Sequence, residues 1–325
     1  MTFKEAYDHG TEQLKQSGIR DAKGDSFYLL EHVTGINRGQ YYAIHHQEMP
    51  QEEQKEYFAL IQRRCMRMPL QHLIGSTEFM GLPFKVSPDV LIPRQDTECL
   101  VENALAWMKQ ALRCEEVSGQ SKGETPQKKF QELNQRETEI EEYRILDMCT
   151  GSGCILISIL YHANKAFGAK EFRKTKGVGV DISSKALALA KENAKKNGLC
   201  GTTNRESQVT FIESDLFNQL HPKEKYQLIV SNPPYIPTKE IEGLEEEVRS
   251  HDPVLALDGG EEGMYFYRQI IGQSTRYLVE GGVLMMECGW NQGEEISQMM
   301  KENGFDPVRI IKDLNGLDRV IVGNK

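Results

Sequence analysis

The protein has 325 residues and a formal net charge of −9. This length gives room for two domains of roughly 150 residues each. The acidic excess is a poor match for nucleic acid, whose phosphates are neutralised by Lys and Arg, so we expect no direct nucleic-acid binding. No apolar run approaches the roughly 20 residues of a membrane-spanning helix, and the charged start Met1–Glu5 lacks the apolar core of a signal peptide. We therefore expect a cytoplasmic protein that acts on another protein, away from membranes.

The cysteines and histidines do not form the spaced clusters that are typical of metal sites. Seven cysteines occur, none of them in a Cys-x-x-Cys pair, and the adjacent histidines His45 and His46 have no further ligand at a suitable spacing. We expect reduced thiols and no bound metal.

The first 70 residues have the pattern of a small helical domain. Thr2 and Glu5 have the spacing of a capping box, which favours the start of a helix. Apolar residues recur at helical spacing in three segments, the second of which ends near Gly35 and the third near Pro69. We therefore predict three helices in a domain spanning residues 1–70.

The composition changes after this domain. Residues 71–95 contain short apolar runs interrupted by Gly and Pro, which is typical of β-hairpins, and we predict a hairpin linker there. Asp96 or Thr97 is predicted to cap the helix that follows. Residues 114–142 are mostly polar and are predicted to form an insertion outside the core, whose role no motif indicates.

Apolar strand segments alternate with helical segments in the rest of the chain, within a predicted domain spanning residues 96–325. This alternation predicts an α/β fold with a mostly parallel sheet that helices cover on both faces. The last two strands have no helix between them and are predicted to form an antiparallel hairpin at the sheet edge. The predicted strands are Arg144–Met148, Gly177–Asp181, Val209–Glu213, Tyr226–Ser231, Gly282–Cys288, Val308–Lys312 and Arg319–Val322.

A glycine-rich turn follows the first of these strands. The run Ile145–Gly153, ILDMCTGSG, leads from a strand through the turn into a helix. Glycine lets the backbone approach a ligand closely, and the free N–H groups of a helix start can bind it. Ligands of open α/β sheets bind beyond the carboxyl ends of strands, so the turn is a candidate nucleotide-like site. A tight turn that binds nothing explains this motif equally well when it is taken alone.

Acidic residues end the next two strands. Asp181, in the run GVDIS, is well placed to accept hydrogen bonds from ribose hydroxyls. Its alternative role is the N-cap of the next helix, although Ser183 already suits that position. Asp215 follows the third strand, where an acid can meet an adenine amino group. A solvated strand end explains Asp215 equally well.

The most specific motif is SNPPYIP, in which Asn232, Pro233, Pro234 and Tyr235 directly follow an apolar strand. Proline has a fixed φ and no N–H, so this segment presents carbonyl acceptors in a stiff geometry. The side-chain carbonyl of Asn232 adds another acceptor. Together these groups can hold an –NH₂ group by its two protons, while Tyr235 packs against a flat substrate group. The motif therefore indicates chemistry on an amide or amino nitrogen.

These motifs, in this order, resemble those of the release factor glutamine methyltransferases, a Rossmann-like, S-adenosylmethionine-dependent family with a seven-stranded sheet and a small helical N-terminal domain. Further runs that carry the resemblance are LIGSTEFMGLPFKV, VLIPRQDTE, ALDGGEEGMYFYRQII and DLNGLDRVIVG. The resemblance implies transfer of a methyl group from S-adenosyl-L-methionine to the side-chain nitrogen N5 of glutamine. The implied partners are class 1 peptide chain release factors, modified in their Gly-Gly-Gln loop, with the helical domain recognising this substrate.

The resemblance also implies a role for particular residues. The implied catalytic residues are Asn232, Pro233, Pro234 and Tyr235. The implied cofactor-binding residues are Cys149, Thr150, Gly151, Ser152, Gly153, Asp181, Asp215, Leu216 and Asn232. The family often has glycine at the position of Cys149 and proline at that of Gln95. It can also have an aromatic residue at the position of Leu216, so the sequence leaves open whether Leu216 or Phe217 contacts the cofactor.

Three other functions are compatible with parts of this pattern. A ribosomal-protein glutamine methyltransferase would share every motif. A DNA adenine N6-methyltransferase can hold a flipped adenine amine in the same grip, but the acidic charge counts against it. A cofactor-binding scaffold without catalysis would not need the Asn-Pro-Pro-Tyr grip. The sequence does not indicate the preferred release factor or the oligomeric state.

Overall fold

The computed structural model describes residues 1–113, 143–167, 175–199 and 208–325. The polar insertion predicted for residues 114–142 lies outside the described residues. Within the described ranges, no helix is long and apolar enough to cross a membrane.

Five helices form the N-terminal part of the protein: α1 (Phe3–Gln16), α2 (Ala22–Thr34), α3 (Arg38–Ile44), α4 (Gln51–Cys65) and α5 (Leu70–Ile74). The predicted capping box is present, since the Thr2 hydroxyl accepts from the Glu5 N–H and the Glu5 carboxylate accepts from the Thr2 N–H. The sequence predicts only three helices because α3 and α5 are too short, at 7 and 5 residues, to show a clear apolar period. These helices enclose their own apolar core, in which Tyr57 is fully buried.

A two-stranded hairpin connects the helices to the rest of the protein. Strands β1 (Ser76–Phe79) and β2 (Leu82–Lys85) pair antiparallel, and helix α6 (Glu98–Arg113) follows. The predicted cap residues of α6 also make long-range contacts: Asp96 forms an ion pair with Arg319 at 3.3 Å, and the Thr97 hydroxyl accepts from the Asn232 side chain at 3.2 Å.

A seven-stranded sheet forms the core, in the order β5-β4-β3-β6-β7-β9-β8. The strands are β3 (Tyr143–Met148), β4 (Thr175–Asp181), β5 (Val209–Glu213), β6 (Tyr226–Ser231), β7 (Leu278–Glu287), β8 (Val308–Lys312) and β9 (Asp318–Asn324). Strands β3 to β7 are parallel, whereas β9 is antiparallel to both β7 and β8. The predicted α/β class, the seven strands and the antiparallel edge are confirmed.

Helices cover both faces of this sheet. Among the described residues, the helices that follow α6 are α7 (Cys154–Phe167), α8 (Ser184–Lys196), α9 (Glu246–His251), α10 (Tyr265–Tyr277) and α11 (Gly293–Glu302). Side chains alternate across the sheet, so Leu228 and Val230 of β6 join the core under α6 and α7, while Ile229 joins the core under α10 and α11. Burial on both faces explains the continuous apolar run Leu228–Val230 in the middle of β6.

A buried ion triad joins the N-terminal helices to the sheet region. Arg64 of α4, whose side chain is 7% exposed, contacts Asp25 of α2 at 2.7 Å and Glu247 of α9 at 2.9 Å. Burial raises the pKa of Asp25, whereas the Arg64 guanidinium opposes this rise. The triad therefore depends on Arg64, because removing it leaves the buried Asp25 without its cationic partner, whereas Glu247, which is 30% exposed, also contacts Arg67 at 3.8 Å.

We predict that Arg64→Ala lowers the free energy of unfolding by roughly 3–5 kcal/mol, the range for breaking a buried ion pair. Urea denaturation measures this loss. The matched control is Arg63→Ala, which removes an exposed arginine from the same helix and should change stability little. Equal, small losses in both variants would contradict a structural role for the triad.

Candidate active site

The carboxyl ends of the central parallel strands meet at one edge of the sheet. Met148 at the end of β3 pairs with Val180 of β4 on one side and with Ser231 of β6 on the other. The Ser231 hydroxyl donates to the Met148 carbonyl at 2.7 Å, which ties the two strand ends together. Asp181, the last residue of β4, and Asn232, which follows β6, therefore lie on either side of the glycine turn.

A cavity of about 320 Å³ opens at this edge. The sequence-predicted site residues that line it are Cys149, Thr150, Gly151, Ser152, Asp181, Asp215, Leu216, Asn232 and Pro234. Gly153, Pro233 and Tyr235 are not among its lining residues. The structure thus brings both predicted clusters, the glycine turn and the Asn-Pro-Pro-Tyr motif, to the same cavity.

The glycine turn keeps its shape through backbone geometry and a buried acid. Gly151 and Gly153 have φ values of 54° and 79°, in the region that favours glycine. A Cβ on Gly153 would lie 2.9 Å from the Cδ1 of Ile157, whereas one on Gly151 would meet no atom within 4 Å. The Thr150 hydroxyl donates to Asp147 at 2.5 Å, and burial raises the pKa of this acid to about 7. The turn is therefore closed on the protein side and open on the cavity side.

Two lining residues other than glycine have left-handed backbone conformations. Cys149 has φ of 60° and Leu216 has φ of 48°. Such conformations cost of order 1 kcal/mol or more in residues with a Cβ, and they concentrate at binding sites. Leu216 faces the cavity, whereas Phe217 is buried and stacks on Tyr277 with ring centroids 4.7 Å apart. Of these two residues, it is therefore Leu216 that is placed to meet a ligand.

Asp181 is held rigidly at the end of β4. Its carboxylate accepts hydrogen bonds from the Gly151 N–H at 2.8 Å and from the Ser183 N–H at 2.9 Å. Burial raises the pKa of Asp181, and these two hydrogen bonds oppose that rise. Ser183, not Asp181, caps helix α8. Each carboxylate oxygen has a further lone pair, so Asp181 can still accept from ligand hydroxyls.

The turn that carries Asn232 is braced by a segment far along the chain. The Ile236 N–H donates to the Leu257 carbonyl at 3.0 Å, and the Gly259 N–H donates to the Ile236 carbonyl at 2.8 Å. Gln292 adds a bond from Nε2 to the Tyr235 carbonyl at 3.0 Å. Leu257 and Gly259 belong to the run ALDGGEEG, so the role of this run is to brace the Asn-Pro-Pro-Tyr segment. These contacts give the segment a defined position at the cavity.

Two residues next to Asn232 have no sequence motif that reveals their position: Thr97, which lines the cavity, and Glu287, which does not. The Asn232 side chain donates from Nδ2 to the hydroxyl of Thr97. Behind it lies Glu287 at the end of β7, which is 2% exposed and whose pKa burial raises to about 7. Thr97 and Asn232 both favour the charged form of Glu287. In the sequence, the signal that could have revealed Glu287 is an acidic residue at the end of the otherwise apolar run VLMME.

An ion pair closes another side of the cavity. Arg94, which lines the cavity from the linker, contacts the buried carboxylate of Asp252 at 2.6 Å. Burial raises the pKa of Asp252, and Arg94 opposes this rise. Asp252 precedes Pro253, Leu255 and Ala256, which also line the cavity. The pair thus links the linker to the segment after the Asn-Pro-Pro-Tyr turn, and the sequence did not reveal this pairing.

The cavity lining suits a ligand with positive charge. Asp89, Asp181 and Asp215 line it; Asp89 is paired with Lys185 at 2.7 Å, and the cationic Arg94 is paired with Asp252. Among the residues that the structure describes, no group of three or more His, Cys, Asp or Glu could hold a metal ion.

Two family profiles match the chain. The PrmC N-terminal domain matches residues 5–75, and a methyltransferase domain matches residues 140–314. Since the second match covers more than half of the 325 residues, the protein is a member of the methyltransferase-domain class.

Full-length relatives define the family more closely. A release factor glutamine methyltransferase from Geobacter sulfurreducens is 35% identical over 99% of this chain and 96% of its own length. A relative of the same name from Clostridium botulinum is 35% identical, with 100% of each chain covered. The solved protein-(glutamine-N5) methyltransferase (release factor-specific) from Alicyclobacillus acidocaldarius is 27% identical over 74% of this chain and 99% of that chain, with a TM-score of 0.36. The chain belongs to the release factor glutamine methyltransferase family, which confirms the resemblance seen in the sequence.

We predict that Glu287→Gln becomes more stable relative to the wild type as the pH rises. The folded Glu287 has a pKa of about 7 against an ordinary 4.5, so the folded protein holds more protons than the unfolded chain between these values. Wild-type stability therefore falls as the pH rises through this window, whereas glutamine does not titrate. The full difference is roughly 3 kcal/mol above pH 7, at about 1.4 kcal/mol per pKa unit.

Urea denaturation of both proteins at about pH 5 and about pH 8 measures this difference. The pKa of Asp147 is also raised to about 7. Because Asp147 is present in both proteins, its contribution to the pH dependence of stability cancels in the comparison. A difference in stability that is the same at both pH values would show that Glu287 does not titrate in this window.

Proposed function

We propose that this protein transfers a methyl group from S-adenosyl-L-methionine to the side-chain amide nitrogen N5 of glutamine in the Gly-Gly-Gln loop of class 1 peptide chain release factors. The observation that carries this proposal is the position of Asn232. Its amide lines the cavity next to the glycine turn, so an acceptor amide held by Asn232 would lie beside a donor held by the turn.

We assign cofactor binding to the lining residues of the glycine turn together with Asp181, Asp215 and Leu216. S-adenosyl-L-methionine supplies a methyl group that its sulfonium charge already activates. The acidic lining of the cavity matches the positive charge of this cofactor. Gly151 has open space on its cavity side, and Asp181 has lone pairs left for ribose hydroxyls. Gly153 supports the turn from behind, where Ile157 and Ala190 leave no room for a side chain.

We assign acceptor binding to the Asn-Pro-Pro-Tyr turn. An amide nitrogen is a weak nucleophile because its lone pair is delocalised into the carbonyl. Two acceptors, the Asn232 side-chain oxygen and a proline-segment carbonyl, would hold the two N–H protons and direct the lone pair at the methyl group. Neutral acceptors also stabilise positive charge that develops on the nitrogen. Tyr235 supports the turn from outside the cavity, through its carbonyl bond to Gln292.

We assign release factor recognition to the helical domain of residues 1–70, with residues 71–95 as its linker and residues 96–325 as the catalytic domain. This assignment is supported by ion pairs between the helices and the segment after the Asn-Pro-Pro-Tyr turn. Arg20 contacts Glu245 at 2.9 Å, and Arg64 contacts Glu247 at 2.9 Å. A substrate bound by the helices would therefore lie next to the segment that forms part of the cavity wall.

Labelled methyl transfer tests this proposal. The protein is incubated with labelled S-adenosyl-L-methionine and, in separate reactions, with an unmethylated class 1 release factor, ribosomal protein or DNA. Labelling of the release factor is expected. Labelling of ribosomal protein alone, or of DNA alone, would replace the proposed substrate with one of the two alternatives.

We predict that Asn232→Ala and Asp181→Ala fail in different ways. Asn232→Ala should lower turnover at saturating substrates by about 10²–10³, the range for losing one preorganised polar contact at a reacting centre. Asp181→Ala should instead weaken cofactor binding by about 1–3 kcal/mol, the range for losing hydrogen bonds to a charged acceptor. Single-turnover labelling and calorimetry measure the two effects.

Matched controls are Asn303→Ala and Glu302→Ala, both at exposed positions outside the cavity lining. Both controls should retain wild-type turnover and cofactor affinity. Near-normal turnover of Asn232→Ala at saturation would show that the acceptor is held elsewhere.

A further inference from the structure

A buried carboxylate stands behind the acceptor-binding asparagine. Glu287 and Thr97 are each 2% exposed, and Asn232 donates from Nδ2 to the Thr97 Oγ1 at 3.2 Å. The side chains of Thr97 and Asn232 both stabilise the charged form of Glu287. The two residues before Glu287, Met285 and Met286, are buried in the apolar cores. An acid at this position opposes folding through its desolvation, so stability does not explain its presence.

The polar surroundings of Glu287 are limited. Its Oε2 atom has no hydrogen-bond partner within the part of the chain that the structure describes. The charge of Arg319 opposes the rise in the pKa of Glu287, but its guanidinium contacts Asp313 at 3.0 Å and Asp96 at 3.3 Å. The titratable and charged groups that influence or are influenced by Glu287 are Asp96, Cys99, Cys154, Tyr235, Tyr267, Cys288 and Arg319.

When Glu287 is ionised, the side chains of Glu287, Thr97 and Asn232 can share hydrogen bonds in only one order of donors and acceptors. A threonine hydroxyl both donates and accepts, so Thr97 alone does not determine which end of the Asn232 amide faces it. An ionised carboxylate only accepts, so the side chains of Thr97 and Asn232, which both stabilise the charged form of Glu287, donate towards it. The Thr97 oxygen is then an acceptor, and the Asn232 Nδ2 must face it. This leaves Oδ1 as the Asn232 atom available to the cavity.

We propose that Glu287 is a positioning residue which, together with Thr97, fixes the Asn232 amide with Oδ1 towards the methyl acceptor. This inference rests on the proposed function, because only an acceptor with N–H protons needs Oδ1 in that direction. With the opposite orientation, the Asn232 –NH₂ would face the substrate –NH₂, and two donors would oppose each other. A protonated Glu287 can donate to Thr97, which can then donate to Oδ1, so the orientation is no longer fixed.

The pH dependence of turnover tests this role. Turnover is measured at saturating S-adenosyl-L-methionine and release factor between about pH 6 and about pH 8.5, in the wild type and in Glu287→Gln. Wild-type turnover should fall as the pH decreases through about 7. Glu287→Gln should be about tenfold to a hundredfold slower at high pH, the scale of a misplaced reacting group, and flat over the same range. Cofactor affinity should change by less than about threefold, because Glu287 does not line the cavity.

Two variants of Thr97 test the same set of contacts without altering the charge of Glu287. Thr97→Val removes the hydroxyl at nearly constant volume and should lower turnover as Glu287→Gln does. Thr97→Ser keeps a hydroxyl and should restore most of the rate that Thr97→Val loses. The control Glu280→Gln changes an acid on the same strand whose side chain is 71% exposed, and it should follow the wild-type profile.

Two results would overturn the inference. The first is a fall in turnover at low pH that persists in Glu287→Gln. The fall would then come from the titration of another group, such as Asp147. The second is normal turnover of Thr97→Val, and this pair of threonine variants decides the matter if Glu287→Gln fails to fold. A wild-type protein that labels no release factor would refute the proposed function itself, whereas a labelling wild type with unaffected variants would refute only the role of Glu287.

Discussion

Parallel pairing of β3 with β4 and with β6 is the constraint on which the site depends. This pairing places Met148 beside Val180 and Ser231, so the glycine turn emerges between Asp181 and Asn232. Each of these groups follows its strand directly and has little freedom to move. Leu228 and Val230 of β6 pack in one apolar core and Ile229 packs in the other, so packing on both faces of the sheet also secures the position of Asn232. The same strand pairing therefore determines both the fold and the positions of the groups that are proposed to carry out the chemistry.

Several features of the cavity oppose folding rather than favour it. Cys149 and Leu216 have left-handed backbones, and Asp147, Asp181 and Glu287 are carboxyls whose pKa burial raises. Such features persist only where the surrounding structure enforces them. Here, apolar cores on both faces of the sheet supply the opposing free energy. Their concentration around one cavity is what a binding and catalytic site requires, since a preorganised polar group is useful only if it cannot relax.

Sequence reasoning located the parts of the site that lie in continuous motifs. The runs ILDMCTGSG, GVDIS and SNPPYIP each place their own residues at a strand end, so local pattern was enough to predict the sheet and the cavity edge. It failed where a role depends on distant contacts. Thr97 looked like a helix cap, yet its hydroxyl contacts Asn232, 135 positions along the chain. The pairing of Arg94 with Asp252 and the place of Glu287 behind Asn232 likewise arise only from the folded sheet.

The position of the transferred methyl group is the most direct test of the proposed reaction. A class 1 release factor is methylated by the wild-type protein, digested, and sequenced by mass spectrometry. The account predicts one added methyl group, on the side-chain nitrogen of the glutamine in the Gly-Gly-Gln loop, and no incorporation when that glutamine is replaced by alanine. A methyl group on another residue, or unchanged incorporation into the alanine variant, would contradict the claim that Asn232 and its prolines hold a glutamine amide against the methyl donor.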